Sequence, residues 1–367
     1  MLKAGIIGLP NVGKSTLFNA ITRSHKAPAE NYPFCTIEPN LAVVQVPDER
    51  LAKIAAVTKV NTLIPTAIEF VDIAGLVKNA SKGEGLGNKF LSHIREVDAI
   101  IHVVRCFEDP DIAHIPGNID PIRDIEIVNY ELIVADLDAL HKRRERISKE
   151  VKHGTKNAVV EDAILQKIES HLNSGKMVST LHLTNEEKEI IKECWFLTDK
   201  PTIFVANLKE SSISSGFNEP YAAKVKEYAQ THYGCDTIVV SAQLESELAD
   251  LPPQEAMQYL NELGVKESSL DALIRTTYRL LGLCTFFTFN DKEVRAWTVR
   301  AGTHAAKAAG KIHSDFERGF IKAEIIKWDK FVESGSVANA RERGYYKIEG
   351  RDYEVKDGDI ILFKFNV

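Results

Sequence analysis

Short apolar runs recur through the first 240 residues at Leu2–Ile7, Ala67–Val71, Asp98–Val104, Thr202–Ala206 and Thr237–Val240. Each is too short for a buried helix and is bounded by polar or turn-forming residues, so the pattern predicts strands. Helical stretches such as Thr16–Ile21 separate them. Nearly continuous apolar strands with helices between them predict an α/β fold, a mostly parallel sheet covered on both faces, with any ligand at the carboxyl ends of its strands.

The pattern changes from about residue 125 to 200. Glu131–Lys152 spaces Leu132, Val134, Ala135, Leu137, Leu140 and Ile147 among charges, and a second helical run, Glu161–Leu172, returns after Gly154–Asn157. Two amphipathic helices joined by a polar turn predict an antiparallel hairpin. Beyond residue 283 the rhythm shortens again. Phe286–Phe289, Val294–Thr298, Phe320–Ile326, Tyr345–Ile348, Tyr353–Val355 and Ile360–Phe365 read as strands around a helix at Ala305–Phe316, which fits a small α+β domain of the β-grasp kind. The expected organisation is a domain over 1–282, interrupted by the 125–200 hairpin, followed by a domain over 283–367.

Composition narrows the function classes. With 46 Lys and Arg against 52 Asp and Glu, the net charge of −6 excludes a uniformly basic nucleic-acid binder, so any RNA contact must be local. Residues 283–367 carry 15 cations and 13 carboxylates, a net +2 that permits RNA contact without demonstrating it. The cluster His141–Arg146 on the first hairpin helix faces either solvent or RNA. Five cysteines stand singly, with no C-x-x-C pair for zinc or redox chemistry. No stretch is long enough to span a bilayer and no cleavable leader precedes the first strand, so a cytoplasmic protein is expected, with neither membrane nor DNA as partner.

Candidate chemistry concentrates after the first strand. Gly8-Leu9-Pro10-Asn11-Val12-Gly13-Lys14-Ser15 is G-x-x-x-x-G-K-S between a strand and a helix, the context of a phosphate-binding P-loop. Its backbone N–H groups, including those of Asn11, Val12, Gly13 and Thr16, would cradle a triphosphate, with Lys14 on the β/γ-phosphates and the Ser15 hydroxyl on Mg²⁺. Asp72-Ile73-Ala74-Gly75 is a D-x-x-G at a strand end, where Asp72 would join the Mg²⁺ shell and the Gly75 amide would meet the γ-phosphate. Thr36, in the turn-rich segment Asn31–Asn40, is the hydroxyl placed to complete that shell. The glycine-punctuated stretch 76–88 reads as a second switch loop.

Gly8–Thr16, Asn31–Asn40, Phe70–Asn88, Val103–Phe107 and Gly310–Glu317 resemble the YchF/Obg-like ATPase family over essentially the whole chain. The resemblance implies a GTPase-type domain, an inserted helical hairpin and a C-terminal TGS domain. It also implies a preference for ATP over GTP and association with ribosomes. The expected partners are therefore ATP, the ribosome through its large subunit, and ribosomal RNA, with the chain acting as a monomer. A translational GTPase is the alternative, and a nucleotide-gated protein-binding module with negligible turnover is a weaker one.

Three departures from the GTPase pattern bear on chemistry. Where guanine-specific enzymes carry N-K-x-D, this chain has Asn207-Leu208-Lys209-Glu210, and an amide such as Asn207 pairs well with the adenine edge. Ser241-Ala242 stands where a base-contacting loop is expected, so the pocket exists for either purine. After Gly75 comes Leu76, which cannot orient water as a Gln would. The resemblance assigns hydrolysis to His114, in the proline-bounded segment Asp109–Gly117, while a surface histidine without a role is the plain alternative. Asn11 either holds a K⁺ ion against the phosphates or only forms the turn.

Overall fold

Strand β1 (Lys3–Ile7) is buried beyond its first residue and leads to helix α1 (Lys14–His25), whose core face is Leu17, Phe18, Ala20 and Ile21. The computed structural model describes residues 1–27, 40–73, 86–113 and 117–366, without the side chains of 86–89. β2 (Leu41–Gln45) is followed by α2 (Glu49–Thr58), which Asp48 caps by accepting from the Arg50 N–H. β3 (Thr62–Ile64), β4 (Ala67–Asp72), α3 (Leu86–Arg95) and β5 (Ala99–Arg105) come next. Every residue of β5 is buried, as a central parallel strand requires.

α4 (Pro121–Lys152) opens on an Asp120 cap with proline in its first turn, and α5 (Lys156–Asn173) runs back along it. Leu132, Leu140 and Ile147 of α4 and Ala158, Ile164, Leu165 and Ile168 of α5 are buried. α6 (Asn185–Ile191) starts with a Thr184/Glu187 capping box. The chain then returns to α4 at Asp136, a buried carboxylate that accepts from Leu197 N (2.9 Å), Thr198 N (2.8 Å) and Thr198 Oγ1 (2.6 Å). Burial nevertheless pushes its pKa up to about 6.

The basic cluster splits along the hairpin. Arg143 donates to Glu161 from Nε at 2.6 Å and from Nη2 at 3.2 Å, and Arg144 reaches Asp162 at 2.8 Å and Glu169 at 2.5 Å. These two cations hold α4 to α5, so they are not a uniform RNA-facing or solvated surface. Lys142 pairs with Asp138, and Arg146 stays exposed.

β6 (Thr202–Asn207), α7 (Pro220–Tyr233), β7 (Thr237–Val240), α8 (Ala242–Leu248), α9 (Pro253–Glu262) and α10 (Ser269–Leu280) complete this part of the chain. The first sheet has the order β2-β4-β1-β5-β6-β7, and the β1, β4, β5, β6 and β7 pairings are parallel. Ile6 lies opposite Asp72 and Arg105 opposite Asn207. That register brings the P-loop, Asp72 and Asn207 to the carboxyl ends of neighbouring strands, where ligands of such sheets sit.

β8 (Leu283–Phe289), β9 (Glu293–Arg300), α11 (Ala305–Ala309), α12 (Ser314–Arg318), β10 (Phe320–Lys327), α13 (Trp328–Ser334), α14 (Val337–Glu342), β11 (Lys347–Glu349) and β12 (Asp359–Phe365) form the rest. Their sheet has the order β11-β10-β12-β8-β9-β3. β3 pairs in parallel with β9, Leu63 opposite Val294, so the second compact unit takes in residues 43–68 as well as 274–366, wider than the expected 283–367. The helix expected at Ala305–Phe316 is two, because Gly310 lets the chain fold back until a side chain there would meet Glu317. The expected strand Tyr353–Val355 is a single bridge from His304 to Glu354.

Candidate functional site

Left-handed backbone builds the loop between β1 and α1: φ is 149° at Gly8, 61° at Asn11 and 97° at Gly13. A Cβ on Gly8 would stand 2.4 Å from the Val103 carbonyl oxygen, and one on Gly13 would stand 2.3 Å from Asn207 Nδ2. Conformation and space together therefore demand glycine at both positions. Val12 is buried and anchors the loop. Asn11 tolerates its positive φ, and its Nδ2 donates to the Ala113 carbonyl at 3.1 Å.

Lys14 is 7% exposed, and its Nζ donates to Leu9 O at 2.7 Å within the loop itself. Burial lowers its pKa to about 8 against the opposing pull of Asp72. His102, on the neighbouring β5, is held neutral by burial and by the Lys14 charge, its pKa lowered to about 3, and it packs on the Phe204 ring at 5.3 Å. A largely desolvated ammonium in a glycine loop gains much from an incoming anion. Thr16 is exposed in the first turn of α1.

Ser15 Oγ donates to Asp72 Oδ2 at 2.8 Å. Asp72 Oδ1 is buried and has no hydrogen-bond partner among the described residues. An alcohol and a carboxylate with one orphaned oxygen are hard donors of the kind Mg²⁺ prefers, so the residues present fit that ion. Thr36, Gly75, Leu76 and His114 lie outside the described residues.

Asn207 plays a part the sequence did not suggest. Only 4% exposed, it donates from Nδ2 to Val12 O at 2.9 Å and accepts at Oδ1 from Ala242 N at 2.9 Å. Both ends of its amide tie backbone to backbone, from the P-loop to the segment after β7, so Asn207 sets the spacing of the pocket walls; the second N–H of its amide is not used by these two bonds. Leu208, which stands where guanine-specific enzymes carry a Lys, has its side chain buried in the cluster with Val104, Phe204 and Val225. Glu210 is half-buried and accepts from Tyr259 Oη at 2.5 Å. Ser241 is fully buried and caps α8 by accepting from Leu244 N, and Ala242 is buried beside it.

Arg105 escaped the sequence reading as a site-building residue. Fully buried at the end of β5, it donates to the carbonyls of Phe107 (3.1 Å), Asp109 (3.2 Å) and Ile112 (3.0 Å) and lies over the Phe107 ring at 4.6 Å. It gathers the segment that Asn11 then holds at Ala113. The available signal was a cation ending an otherwise apolar strand.

Residues 3–135 match the MMR_HSR1 family, described as a 50S ribosome-binding GTPase, and residues 283–366 match the YchF-GTPase_C family, described as a protein of unknown function. The chain is 51% identical over 366 residues to a protein of Bacillus subtilis named ribosome-binding ATPase YchF, with all of both chains covered. A protein of the same name from Haemophilus influenzae is 50% identical, covering 100% of this chain and 99% of the relative. The solved structure of the Schizosaccharomyces pombe YchF GTPase superposes with a TM-score of 0.88 at 38% identity, covering 99% of this chain and 97% of that one.

Proposed function

The chain belongs to the YchF family, and from that premise and the P-loop geometry we propose that it is a Mg²⁺-dependent ATPase whose bound nucleotide governs its engagement with ribosomes. The observation that carries the catalytic half is the convergence at one sheet edge of a buried Lys14, the Ser15 hydroxyl bonded to Asp72, and an orphaned Asp72 oxygen. Lys14 is the counter-charge for the β/γ-phosphates, and the loop N–H groups and the α1 terminus add to it. Ser15 and Asp72, joined by Thr36, would hold the metal, which when bound neutralises phosphate charge and orients the terminal group. The Gly75 amide would donate to the γ-phosphate.

His114 is the residue proposed to orient the attacking water, since Leu76 cannot. Support comes from its neighbour in sequence: Ala113 is bonded to Asn11 of the P-loop. Asn11 spends its amide nitrogen on that bond, which leaves Oδ1 as the atom that would meet K⁺. ATP is preferred over GTP because Leu208 and Glu210 replace the guanine-reading pair and Tyr259 holds the Glu210 carboxylate.

The ribosomal half rests on the names of the relatives and on the description of the family matched by residues 3–135. We read the large subunit and its RNA as the partner, the cytoplasm as the location and a monomer as the working form. The C-terminal α+β unit is read as TGS-like. Titration with labelled ATP and GTP, together with ribosome co-sedimentation in apo, ADP and non-hydrolysable ATP states, tests both halves. Tighter GTP than ATP binding would overturn the base assignment, and no pelleting at low salt in any state would overturn the ribosome assignment.

A further inference from the structure

A cavity of about 510 Å³ opens on the helical insertion, between the end of α3, the exposed face of α4 and the segment returning from α6. Its chemistry comes from Arg95, Asp138, Lys142, Arg146, Cys194 and Trp195. Trp195 is 64% exposed, whereas the other two tryptophans are half-buried. Its backbone is left-handed, φ 50°, a strained conformation for an aromatic residue that turns the chain at the rim of the cavity.

The cations around it are not equivalent. Lys142 is matched by Asp138 at 2.6 Å, and Arg143, on the same wall, is tied to Glu161. The guanidinium groups of Arg95 and Arg146 have no hydrogen bond or ion pair to any described residue, although the Arg95 charge is felt by buried Asp136; the Arg95 backbone carbonyl accepts from Lys200 Nζ. Glu193 is the other carboxylate on the wall, and burial pushes the Cys194 thiol up to about 11, so it stays uncharged at neutral pH. Two unpaired guanidinium forks and an open indole face therefore share one predominantly polar concavity.

Guanidinium forks match phosphate oxygens, and an exposed indole offers a stacking face to an unpaired base. An apolar protein anchor would use the indole and leave both guanidiniums facing solvent. We propose that this cavity is a subsite for single-stranded RNA, with one unpaired base stacked on Trp195 and the flanking phosphates on Arg95 and Arg146. The proposal rests on the ribosome reading and deepens it, because it names an unpaired nucleotide of RNA as what the hairpin takes.

The test uses the full-length protein and a labelled single-stranded RNA of about ten nucleotides, a length within the usual site size of such grooves. Loss of one stacked base predicts that Trp195→Ala weakens binding by about 5- to 150-fold, while Trp195→Phe stays within a few-fold of wild type. Arg95→Gln and Arg146→Gln should each flatten the dependence of log affinity on log salt by about 0.7. RNA-free ATP turnover and the thermal midpoint of Trp195→Ala should match wild type, showing an intact fold. The proposal is overturned if wild type does not bind the RNA, if Trp195→Ala binds it as wild type does, or if free UMP competes as well as the oligonucleotide at equal nucleotide concentration. Nucleotide-dependent ribosome pelleting that persists beside any of these results leaves the ribosome reading standing. Absence of pelleting in wild type removes that reading whatever the RNA result.

Discussion

Asn207 and Val12, 195 positions apart in the chain, are joined by a 2.9 Å hydrogen bond from the Asn207 side-chain amide to the Val12 carbonyl. Since the other end of the amide takes the Ala242 N–H, one side chain fixes the P-loop against the segment after β7. Glu210, whose carboxylate is held by Tyr259, is the residue proposed to set base choice. Tyr259→Phe should free it and narrow the preference for ATP over GTP by a few-fold, about 1 kcal/mol, the lower value that an exposed hydrogen bond carries. Competition titration with labelled nucleotides measures the ratio; an unchanged ratio would show that Glu210 does not face the base. Leu208→Lys is a poor probe, because it would put an ammonium into an apolar cluster.

Lys14 gives a pH signature. Its folded pKa of about 8 lies below the unfolded value of 10.5, so the folded apo protein binds fewer protons between those limits. Its contribution destabilises the apo protein fully below pH 8 and fades as pH rises toward 10.5. A bound triphosphate reverses the preference by stabilising the ammonium. ATP binding near pH 8.5 should take up a fraction of a proton, and affinity should fall with pH above that point by up to about tenfold per unit. Calorimetry in two buffers of different ionisation enthalpy reads the uptake. The same uptake in Lys14→Ala would assign it to another group, and Lys14→Ala should itself lose about 10- to 150-fold in affinity, the value of a charge-assisted bond.

The parts legible in the sequence were those whose chemistry is local. G-x-x-x-x-G-K-S and the strands of the first sheet are fixed by neighbours in the chain, so spacing reveals them. The tie made by Asn207 was not legible because its partners are Val12 and Ala242, and no periodicity reports which backbone groups an amide will meet. Arg143 and Arg144 look like Arg146 in a charge run, and only the approach of Glu161, Asp162 and Glu169 on α5 separates seam from surface. β3 was missed because three residues carry little pattern, and its partner β9 lies more than two hundred residues away.

That separation makes a stability prediction. Arg144→Ala leaves Asp162 and Glu169 without their shared cation and should cost about 0.5–1 kcal/mol, modest because the pair is partly exposed. Arg146→Gln should leave the thermal midpoint unchanged. Arg144 holds the Asp162 pKa below its usual value, so the stabilisation is complete above the unfolded pKa and is lost as pH falls through the lower folded one. Thermal melts at pH 7 and pH 3 should therefore separate wild type from Arg144→Ala at the higher pH and show a smaller difference at the lower. A constant difference would place the contribution in packing.

The last prediction concerns turnover. If His114 orients water, His114→Ala lowers the single-turnover rate by about 10²–10⁴-fold and leaves ATP affinity within a few-fold, because water placement matters in the transition state and little in the ground state. Asn11 bears on the same step through its bond to Ala113. Asn11→Ala should lower the rate by a smaller factor, and its K⁺ dependence then separates two roles. If Asn11 acts only by holding the segment that leads to residue 114, the variant keeps the same ratio of rates in K⁺ and Na⁺ as wild type, whatever that ratio is. If its Oδ1 holds a cation, wild type is faster in K⁺ and the variant loses the difference. A His114→Ala rate equal to wild type would remove the histidine from the reaction, and the Asn11 bond would then shape the loop without serving the chemistry.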